Sequence, residues 1–386
     1  MLSDRENMNL QLLPARPLWI HASSGEIEYA KSVIREIKRC YPQIPVMVTY
    51  FSPSAKKLIQ KFSGIDLAMA LPWDHRHSVQ KFLDFYKPRA FLVARTDVWP
   101  EIAVETKRRR IPSLLFAATI AEHSSRKGWI AGALTRTALN SLSQIFCVSA
   151  ADLENLQSLG VRTEASVAGD TRFDQVIYRL KNPNPVKTEL KPQGKNTKIF
   201  VMGSTWPQDE EILLPALKKW IGLGHRAILA PHEVGTERIE KLEAELEKIL
   251  GKRPDRYSKI NSWTAPVLLV DQMGVLQELY AWGDVAFVGG SFKDKVHSVM
   301  EPLCAGLPVL VGPYHQNNRE ALQFQNSLLK PGFFAVNVVQ NSKEIEDILY
   351  QALDLPTPNP LILKKTQEFS HTTEKIIDWL NQNIEK

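Results

Sequence analysis

Short apolar runs that end in glycine-rich turns recur along this chain, with amphipathic stretches between them. The clearest example lies in residues 284–320. There Val285–Val288 runs into Gly289-Gly290-Ser291, and Leu307–Val311 follows after a predicted helix over His297–Gly306. Strand, glycine turn, helix and strand in this order form the crossover unit of a parallel sheet. The pattern therefore favours an α/β fold in which a ligand can approach the glycine turn.

The same alternation fills both halves of the chain. Ten further runs are predicted as strands: Leu18–His21, Pro45–Tyr50, Asp66–Ala70, Ala90–Ala94, Ser113–Phe116, Gln144–Val148, Ala165–Val167, Ile199–Met202, Arg226–Ala230 and Val267–Val270. Ligands bind beyond the carboxyl ends of such strands, so the loops after each run are the candidate functional segments.

A length of 386 residues predicts two domains. The stretch LKNPNPVKTELKPQGKNTK is polar and proline-rich and has no apolar period. We therefore predict an N-terminal domain over residues 1–178, a linker over 179–197 and a C-terminal domain over 198–386.

Charge and composition narrow the class of protein. The net charge of +6 suits an anionic partner, whether a nucleotide, a nucleic acid or an anionic membrane surface. The three cysteines are widely separated and are interpreted as reduced thiols of a cytosolic protein. No apolar run approaches the roughly 18 residues of a membrane span, and the first residues do not resemble a signal peptide, so we expect any membrane contact to be peripheral.

The loop after the first predicted strand contains His21-Ala22-Ser23-Ser24-Gly25-Glu26. Ser23 or Ser24 is a plausible N-cap for the next helix. Glu26 lies in its first turn, where the helix dipole favours a carboxylate. The residue is either an ordinary first-turn glutamate or, at the rim of a first strand beside glycine, a general base.

The loop after Ala90–Ala94 contains Asp97, which either caps the next helix or faces the cleft opposite Glu26. Basic residues recur on nearby segments, and they either form solvated faces or an anion-attracting surface. These residues are Lys31, Arg35, Lys38, Arg39, Lys56, Lys57, Lys61, Lys107, Arg108, Arg109 and Arg110.

In the second half, Gly203-Ser204-Thr205 follows a predicted strand and precedes a predicted helix over 206–221. Thr205 and Gln208 are predicted to form a capping box, and the helix N-terminus suits an anion. His232 follows the next strand as a rim residue or a phosphate contact. Glu301 lies where a carboxylate can reach a sugar hydroxyl. Neither a P-loop nor a dinucleotide-binding glycine motif is present, which favours a two-domain, metal-independent glycosyltransferase.

Segments in the same order over nearly the whole chain resemble motifs of the lipid A Kdo transferases. That family moves 3-deoxy-D-manno-octulosonic acid (Kdo) from CMP-Kdo to a lipid A precursor. The segments are WIHASSGE, TDVWP, VAGDTRFD, GSTWPQDE, Asp271–Tyr280, and FVGGSF, HSVMEP and GLPVLVGP of the stretch described first.

The resemblance implies a GT-B fold, with two Rossmann-like parallel-sheet domains facing an interdomain cleft. It implies an acceptor-binding N-terminal domain, a donor-binding C-terminal domain, and a last helix over about 361–384 that crosses back to the N-terminal domain. The implied reaction is inverting Kdo transfer to lipid IVA in lipopolysaccharide synthesis, at the cytoplasmic face of the bacterial inner membrane. CMP-Kdo is the expected donor substrate, the lipid A precursor is the expected acceptor, and we expect no cofactor, metal or nucleic acid.

The resemblance also implies roles by position. Glu26 corresponds to the general base and Asp97 to a second acidic residue. We assign donor binding to Gly203, Ser204, Thr205, His232, Gly274, Gly290, Ser291, His297, Ser298 and Glu301. We assign acceptor or membrane binding to Ser24, Lys31, Arg35 and Arg95.

The chain departs from the family pattern at several of these positions. Arg95 replaces a glutamate, His232 lies where an arginine is usual, Lys295-Val296 replaces a glycine pair, and Ser298 replaces an asparagine. The altered 292–298 loop leaves two alternatives open. One is a GT-B transferase with another sugar nucleotide, and the other is a catalytically degenerate relative that binds a glycolipid.

Overall fold

The computed structural model describes residues 10–60, 62–120, 129–191 and 197–384. The chain divides into two compact units. Unit 1 comprises Met1–Gln175 with Glu368–Lys386, and unit 2 comprises Val176–Gln367. Each unit contains one seven-stranded sheet in which neighbouring strands run parallel. The predicted fold class, α/β with two Rossmann-like sheets, is confirmed.

The sheet of unit 1 has the strand order β3-β2-β1-β4-β5-β6-β7. Its strands are β1 Leu18–His21, β2 Val46–Tyr50, β3 Leu67–Ala70, β4 Ala90–Ala94, β5 Ser113–Ala118, β6 Gln144–Cys147 and β7 Ala165–Val167. The helices are α1 Ile27–Cys40, α2 Pro53–Gln60, α3 Arg76–Tyr86, α4 Pro100–Arg108, α5 Trp129–Leu139, α6 Ala150–Ser158 and α7 Thr171–Lys181, the last of which continues into unit 2.

The strand order of unit 1 reverses direction between β1 and β4. Strand β1 pairs with β2 on one side and with β4 on the other, and all three strands are fully buried apart from the last residue of β2. A crevice at the carboxyl ends is expected where the order reverses, because the two adjacent loops turn away from each other there. We call this position, between β1 and β4, the switch point of unit 1. The loops after β1 and β4 carry Glu26 and Asp97, so the fold places both candidates there.

The last helix predicted over about 361–384 is instead two helices, α14 Pro360–Glu368 and α15 Thr372–Asn383. His371 has a φ of 69°, a left-handed conformation that breaks the helix. The carboxylate of Asp174 accepts from His371 N at 2.6 Å and from Thr373 N at 2.7 Å, which satisfies the start of α15. Helix α15 packs into the core of unit 1 through Ile376, Trp379 and Leu380.

The sheet of unit 2 has the order β10-β11-β9-β8-β12-β13-β16. Its strands are β8 Ile199–Thr205, β9 Arg226–Pro231, β10 Asp255–Arg256, β11 Val267–Leu269, β12 Val285–Val288, β13 Val309–Val311 and β16 Val336–Val338, with a separate hairpin of β14 Leu328–Lys330 and β15 Phe333–Phe334. The helices are α8 Pro207–Gly222, α9 Thr236–Leu250, α10 Leu276–Tyr280, α11 Met300–Cys304, α12 Arg319–Phe324 and α13 Ser342–Ala352. The order reverses between β8 and β12, so the loops after these strands flank the second switch point.

The helix predicted over His297–Gly306 is shorter, because α11 spans only Met300–Cys304. His297 N donates to Gly289 O at 3.1 Å, and Asn318 Nδ2 donates to His297 O at 2.8 Å. These long-range bonds hold His297 in an irregular loop rather than in a helix.

The segment predicted as a linker is partly helical in its described residues. Helix α7 extends to Lys181, and a 3₁₀ turn covers Thr188–Leu190. Lys187 Nζ donates to Tyr257 O at 3.1 Å and to Ile260 O at 2.8 Å, which attaches this segment to unit 2. Among the residues described, no helix has the length and apolar character needed to cross a membrane.

Candidate active site

Glu26 lies at the switch point of unit 1, directly before α1. Its Oε2 accepts from Ser24 N at 2.8 Å, and its Oε1 lies 3.8 Å from a guanidinium nitrogen of Arg95. Its side chain is 18% exposed, so a substrate hydroxyl can reach it. The prediction that Ser23 or Ser24 caps α1 is wrong. Glu26 itself is the N-cap residue, no side chain caps the helix, and Ser24 O instead accepts from Ile27 N at 3.4 Å.

Asp97 faces the loop after β1 rather than the helix that follows it. Its carboxylate accepts from the Ser23 hydroxyl and lies 3.9 Å from His21 Nε2. Helix α4 begins after Trp99, and Asp74 accepts from its N–H groups at Glu101 and Ile102, at 3.1 and 2.9 Å. The capping alternative for Asp97 is therefore excluded by the geometry of α4.

Buried His21 connects this carboxylate to the sheet, a role the sequence analysis missed. Its Nε2 lies 3.1 Å from Ser23 Oγ, and its Nδ1 lies 3.1 Å from Thr49 Oγ1. Because Ser23 donates to Asp97, its oxygen is free to accept from His21 Nε2–H. Nδ1 also lies 3.1 Å from the backbone oxygen of Thr49. This chain of hydrogen bonds fixes the loop that carries Glu26.

Arg95 lies within ion-pair distance of Glu26. It has a φ of 71°, an uncommon conformation for a residue with a side chain, and the side chain is 45% exposed. Its guanidinium lies 5.6 Å from the ring centre of Tyr29, and that of Arg172 lies 4.4 Å from the same ring. The substitution of arginine for an acid therefore gives Glu26 an opposite charge as its neighbour.

Two of the basic residues predicted for the acceptor side, Lys31 and Arg35, lie on α1 and have polar partners. Lys31 Nζ lies 2.5 Å from Glu28 Oε1, and Arg35 donates to Gln175 Oε1 at 2.9 Å. Of the other basic residues, Lys61 lies outside the described residues, as does the side chain of Lys57. Arg108 and Arg109 both pair with buried Glu105, which favours a structural role for that run.

A cavity of about 80 Å³ opens beside these residues in unit 1. Arg95, Thr96 and Asp97 line its polar side, and Leu115, Leu139 and Leu159 belong to its apolar side. The cavity joins a charged rim to an apolar wall, and Arg95 on that rim lies 3.8 Å from Glu26.

In unit 2 the end of β8 and the loop after β12 approach each other very closely. Ser204 has a φ of 55° and Gly290 a φ of 84°. A Cβ atom at Gly289 would lie on the carbonyl oxygen of Ser204, with Thr205 Cα only 2.6 Å away. Gly289 therefore has to be glycine for this backbone contact to form. Buried Ser291 supports the same loop, since its Oγ donates to Val288 O at 3.0 Å and accepts from Gly312 N at 2.8 Å.

Fully buried Asp209 joins the first turn of α8 to the glycine loop, which is the segment 289–292 after β12. The sequence analysis missed this residue. Its Oδ2 accepts from Trp206 N at 2.9 Å and from Gly290 N at 2.7 Å, and its Oδ1 accepts from Phe292 N at 2.9 Å. Burial raises the pKa of Asp209, and these three N–H donors oppose the rise. The predicted capping box of Thr205 and Gln208 is wrong: the N-cap is Trp206, and the capping carboxylate is Asp209.

Three aromatic rings stack above this turn. The Trp206 and His232 ring centres are 4.7 Å apart, and those of His232 and His297 are 4.5 Å apart. Lys293 Nζ lies 3.2 Å from the centre of the Trp206 ring. His232 and His297, both predicted to bind the sugar nucleotide, are thus in direct contact. His232 also stacks on Trp206, a residue to which the motifs assigned no role.

Glu301 lies beside a buried polar cluster. Desolvation raises the pKa of Glu301 to about 7, with Glu278 adding to the rise and Arg179 opposing it. Arg179 pairs with Glu278 at 2.7 Å, and Tyr280 is fully buried with a pKa well above its usual range, because of desolvation and the charge of Glu301. Glu301 is therefore partly protonated near neutral pH, and it can both donate and accept a hydrogen bond.

The remaining residues predicted to bind the sugar nucleotide differ in exposure. Gly274 is exposed with a φ of 88° in the loop after β11, and no atom lies within 4 Å of the Cβ it lacks. Ser298 is exposed, and its Oγ accepts from Met300 N at 3.4 Å. Thr205 is buried and donates to Glu210 Oε1 at 2.8 Å, so its hydroxyl supports the helix start.

Comparison with solved structures gives the fold. UDP-GlcNAc 2-epimerase from Neisseria meningitidis aligns over 95% of this chain and 99% of its own, with a TM-score of 0.62 and 16% identity. MurG from Acinetobacter baumannii aligns over 95% and 100%, with a TM-score of 0.55 and 12% identity. At these identities the likeness shows the fold alone. The protein has the fold of the GT-B glycosyltransferases.

Sequence comparison finds relatives among the transferases of one sugar acid. The model of the 3-deoxy-D-manno-octulosonic-acid transferases (kdotransferases) matches residues 3–175. A 3-deoxy-D-manno-octulosonic acid transferase from Aquifex aeolicus is 28% identical over 80% of this chain and 79% of its own length. Another from Rickettsia felis is 27% identical over 96% of this chain and 79% of its own. The chain is thus similar to the 3-deoxy-D-manno-octulosonic acid transferases, which are glycosyltransferases.

Proposed function

We propose that this protein transfers Kdo from CMP-Kdo to lipid IVA, the lipid A precursor, with inversion at the anomeric carbon. The observation that carries the proposal is the position of Glu26 at the switch point of unit 1, within the residues that match the model of the Kdo transferases. Its carboxylate is partly exposed, is oriented by Ser24 N–H, and lies beside Arg95, which lines a cavity with a polar and an apolar side.

In the proposed reaction, the Glu26 carboxylate accepts the proton of the acceptor hydroxyl while the hydroxyl oxygen attacks the anomeric carbon of Kdo. The bond from that carbon to the phosphate oxygen breaks, and CMP leaves with the electron pair. Attack from the face opposite the leaving group inverts the configuration. Asp97 acts through Ser23 to hold the loop of Glu26, and Arg95 holds the carboxylate through its charge.

We assign recognition of the donor substrate, CMP-Kdo, to unit 2. The N–H groups at the start of α8 and in the glycine loop offer donors to the phosphate of CMP-Kdo. Partly protonated Glu301 suits a ribose hydroxyl, because it can donate as well as accept. The proposal requires neither a metal nor a cofactor. It places the protein at the cytoplasmic face of the bacterial inner membrane, with peripheral contact through the basic residues of α1.

The test measures CMP release and Kdo transfer with purified protein, CMP-Kdo and lipid IVA, for the wild type and for Glu26→Gln. Loss of a general base lowers kcat by about 10²- to 10⁴-fold. The matched control is Glu28→Gln, because Glu28 is two residues further on and its side chain is 42% exposed beside Lys31. We expect the control to stay within about twofold of the wild type. CMP release that survives Glu26→Gln, or that needs no lipid, contradicts the mechanism.

The altered 292–298 loop leaves a different sugar nucleotide as the alternative substrate, because Lys293 and Lys295 are exposed there. Competition binding with CMP and with UDP-sugars distinguishes the two cases. Preference for a UDP-sugar indicates a different GT-B transferase. Liposome binding without affinity for CMP indicates a glycolipid-binding relative that has lost catalysis.

A further inference from the structure

His297 is fixed by contacts from three parts of unit 2. Its N–H donates to Gly289 O at 3.1 Å, and its carbonyl accepts from Asn318 Nδ2 at 2.8 Å. Its ring stacks on His232 with an angle of 13° between the planes. Neither the backbone nor the ring plane is therefore free to turn without loss of these contacts.

A contact with Trp206 determines which ring nitrogen of His297 carries the proton. The indole Nε1 of Trp206 lies 3.1 Å from His297 Nε2. An indole nitrogen can only donate, so His297 Nε2 must be the unprotonated, accepting nitrogen. The proton of the neutral ring is then on Nδ1. Burial, with the charges of His232 and Lys295, also lowers the pKa of His297 and favours this neutral ring.

Trp206 is itself held firmly. It is the N-cap residue of α8, and its N–H donates to buried Asp209 at 2.9 Å. One face of its ring stacks on His232, and Lys293 lies 3.2 Å from the ring centre. The indole N–H therefore points at His297 because the start of α8 is fixed, and not because of a chance rotamer.

We propose that Trp206 is a positioning residue that holds His297 as the Nδ1–H tautomer and so presents one N–H donor to an anionic group of the sugar nucleotide. The ligand in this inference rests on the proposed function, whereas the tautomer does not. A donor N–H at a fixed position suits a phosphate or carboxylate oxygen, and an unprotonated nitrogen there would repel it.

The experiment uses Trp206→Phe, which keeps an aromatic ring for the stack but removes the indole N–H. Trp220→Phe is the matched control, because Trp220 lies on the same helix and donates its indole N–H to Arg226 O at 2.8 Å, away from His297. The tautomer is read from ¹⁵N chemical shifts of the histidine rings in the ligand-free protein, with His297→Gln to assign the signals.

We expect Nδ1–H for His297 in the wild type and in Trp220→Phe, and a mixture with Nε2–H in Trp206→Phe. Calorimetry with CMP and kinetics with CMP-Kdo give the second readout. Loss of one hydrogen-bond contact predicts about a fivefold higher Kd and KM in Trp206→Phe, with a smaller change in kcat.

An unchanged tautomer in Trp206→Phe overturns the positioning role. An equal loss of affinity in Trp220→Phe overturns it as well, because a general loss of fold stability then explains the effect. A wild type that does not bind CMP contradicts the proposed donor, while the ring shifts still decide whether Trp206 positions His297.

Discussion

A single added methyl group at Gly289 should disrupt the glycine loop of unit 2. Gly289 N donates to Gly203 O at 2.8 Å where β12 and β8 end side by side. The Cβ of an alanine would overlap the carbonyl of Ser204 and lie 2.6 Å from Thr205 Cα. These are backbone atoms of the neighbouring strand, so no side-chain rotation relieves the clash.

The expected loss of folding stability follows from the backbone atoms that have to move. Carbon atoms in contact normally lie about 3.5–4.0 Å apart, so the two strand ends must separate by roughly 1 Å. Extra groups in a packed core cost about 1–3 kcal/mol, and the upper end applies because only the backbone can respond. A loss of about 3 kcal/mol is a large part of the usual 5–15 kcal/mol of a folded domain. The shift also displaces His297, whose N–H donates to Gly289 O.

The assay is urea unfolding followed by circular dichroism, with CMP affinity measured on the folded protein. Gly222→Ala is the control. Gly222 ends helix α8, and no atom lies within 4 Å of the Cβ it lacks. Because alanine favours a helix more than glycine does, the control should unfold at the same urea concentration or a higher one. An unchanged midpoint and CMP affinity in Gly289→Ala would refute the reasoning on this contact.

Two further predictions concern charge. Desolvation raises the pKa of Glu301 to about 7, so the folded state binds the proton more tightly than the unfolded state and wild-type stability falls as pH rises from about 4.5 through 7. Thermal unfolding of Glu301→Gln should therefore show an advantage over the wild type that grows by roughly 3 kcal/mol between pH 4.5 and 8, whereas a difference independent of pH contradicts the assignment. Sedimentation with anionic liposomes should fall steeply with salt, and Lys31→Gln with Arg35→Gln should weaken it by about 2 kcal/mol, or roughly 30-fold. Lys343→Gln, an exposed lysine of unit 2, is the control, and salt-independent binding would contradict the proposed contact.

Most strands could be predicted from the sequence, because a buried parallel strand is a continuous apolar run and such runs are easily recognised. Strands β1, β4, β7 and β12 have the predicted bounds. Strand β16 was missed, since Val336–Val338 includes a polar asparagine whose amide bonds to Phe334 O at 2.6 Å and is satisfied locally. The helices were less predictable where a distant partner decides their ends, as Asp174 does at the start of α15.

The candidate site could be predicted only as a set of loops. Glu26 and Asp97 were identified by their place after strands and by the resemblance, and the sheet order brings their loops to one switch point. The sequence could not choose between the two roles of Asp97. That choice depends on Asp74, which lies in a different loop and caps α4 instead. His21 was missed for a similar reason, because its function depends on Thr49 of the neighbouring strand.

Asp209 shows why local rules failed at the start of α8. Thr205 and Gln208 have the spacing of a capping box, but the Thr205 hydroxyl donates to Glu210 and Gln208 is exposed. Asp209 is fully buried, which is costly for a carboxylate unless its oxygens accept hydrogen bonds. Two of its three donors come from Gly290 and Phe292, so that cost is compensated only when the glycine loop is in place. The start of α8 and the glycine loop must therefore form together, which means that the fold itself builds the proposed donor site before any ligand binds.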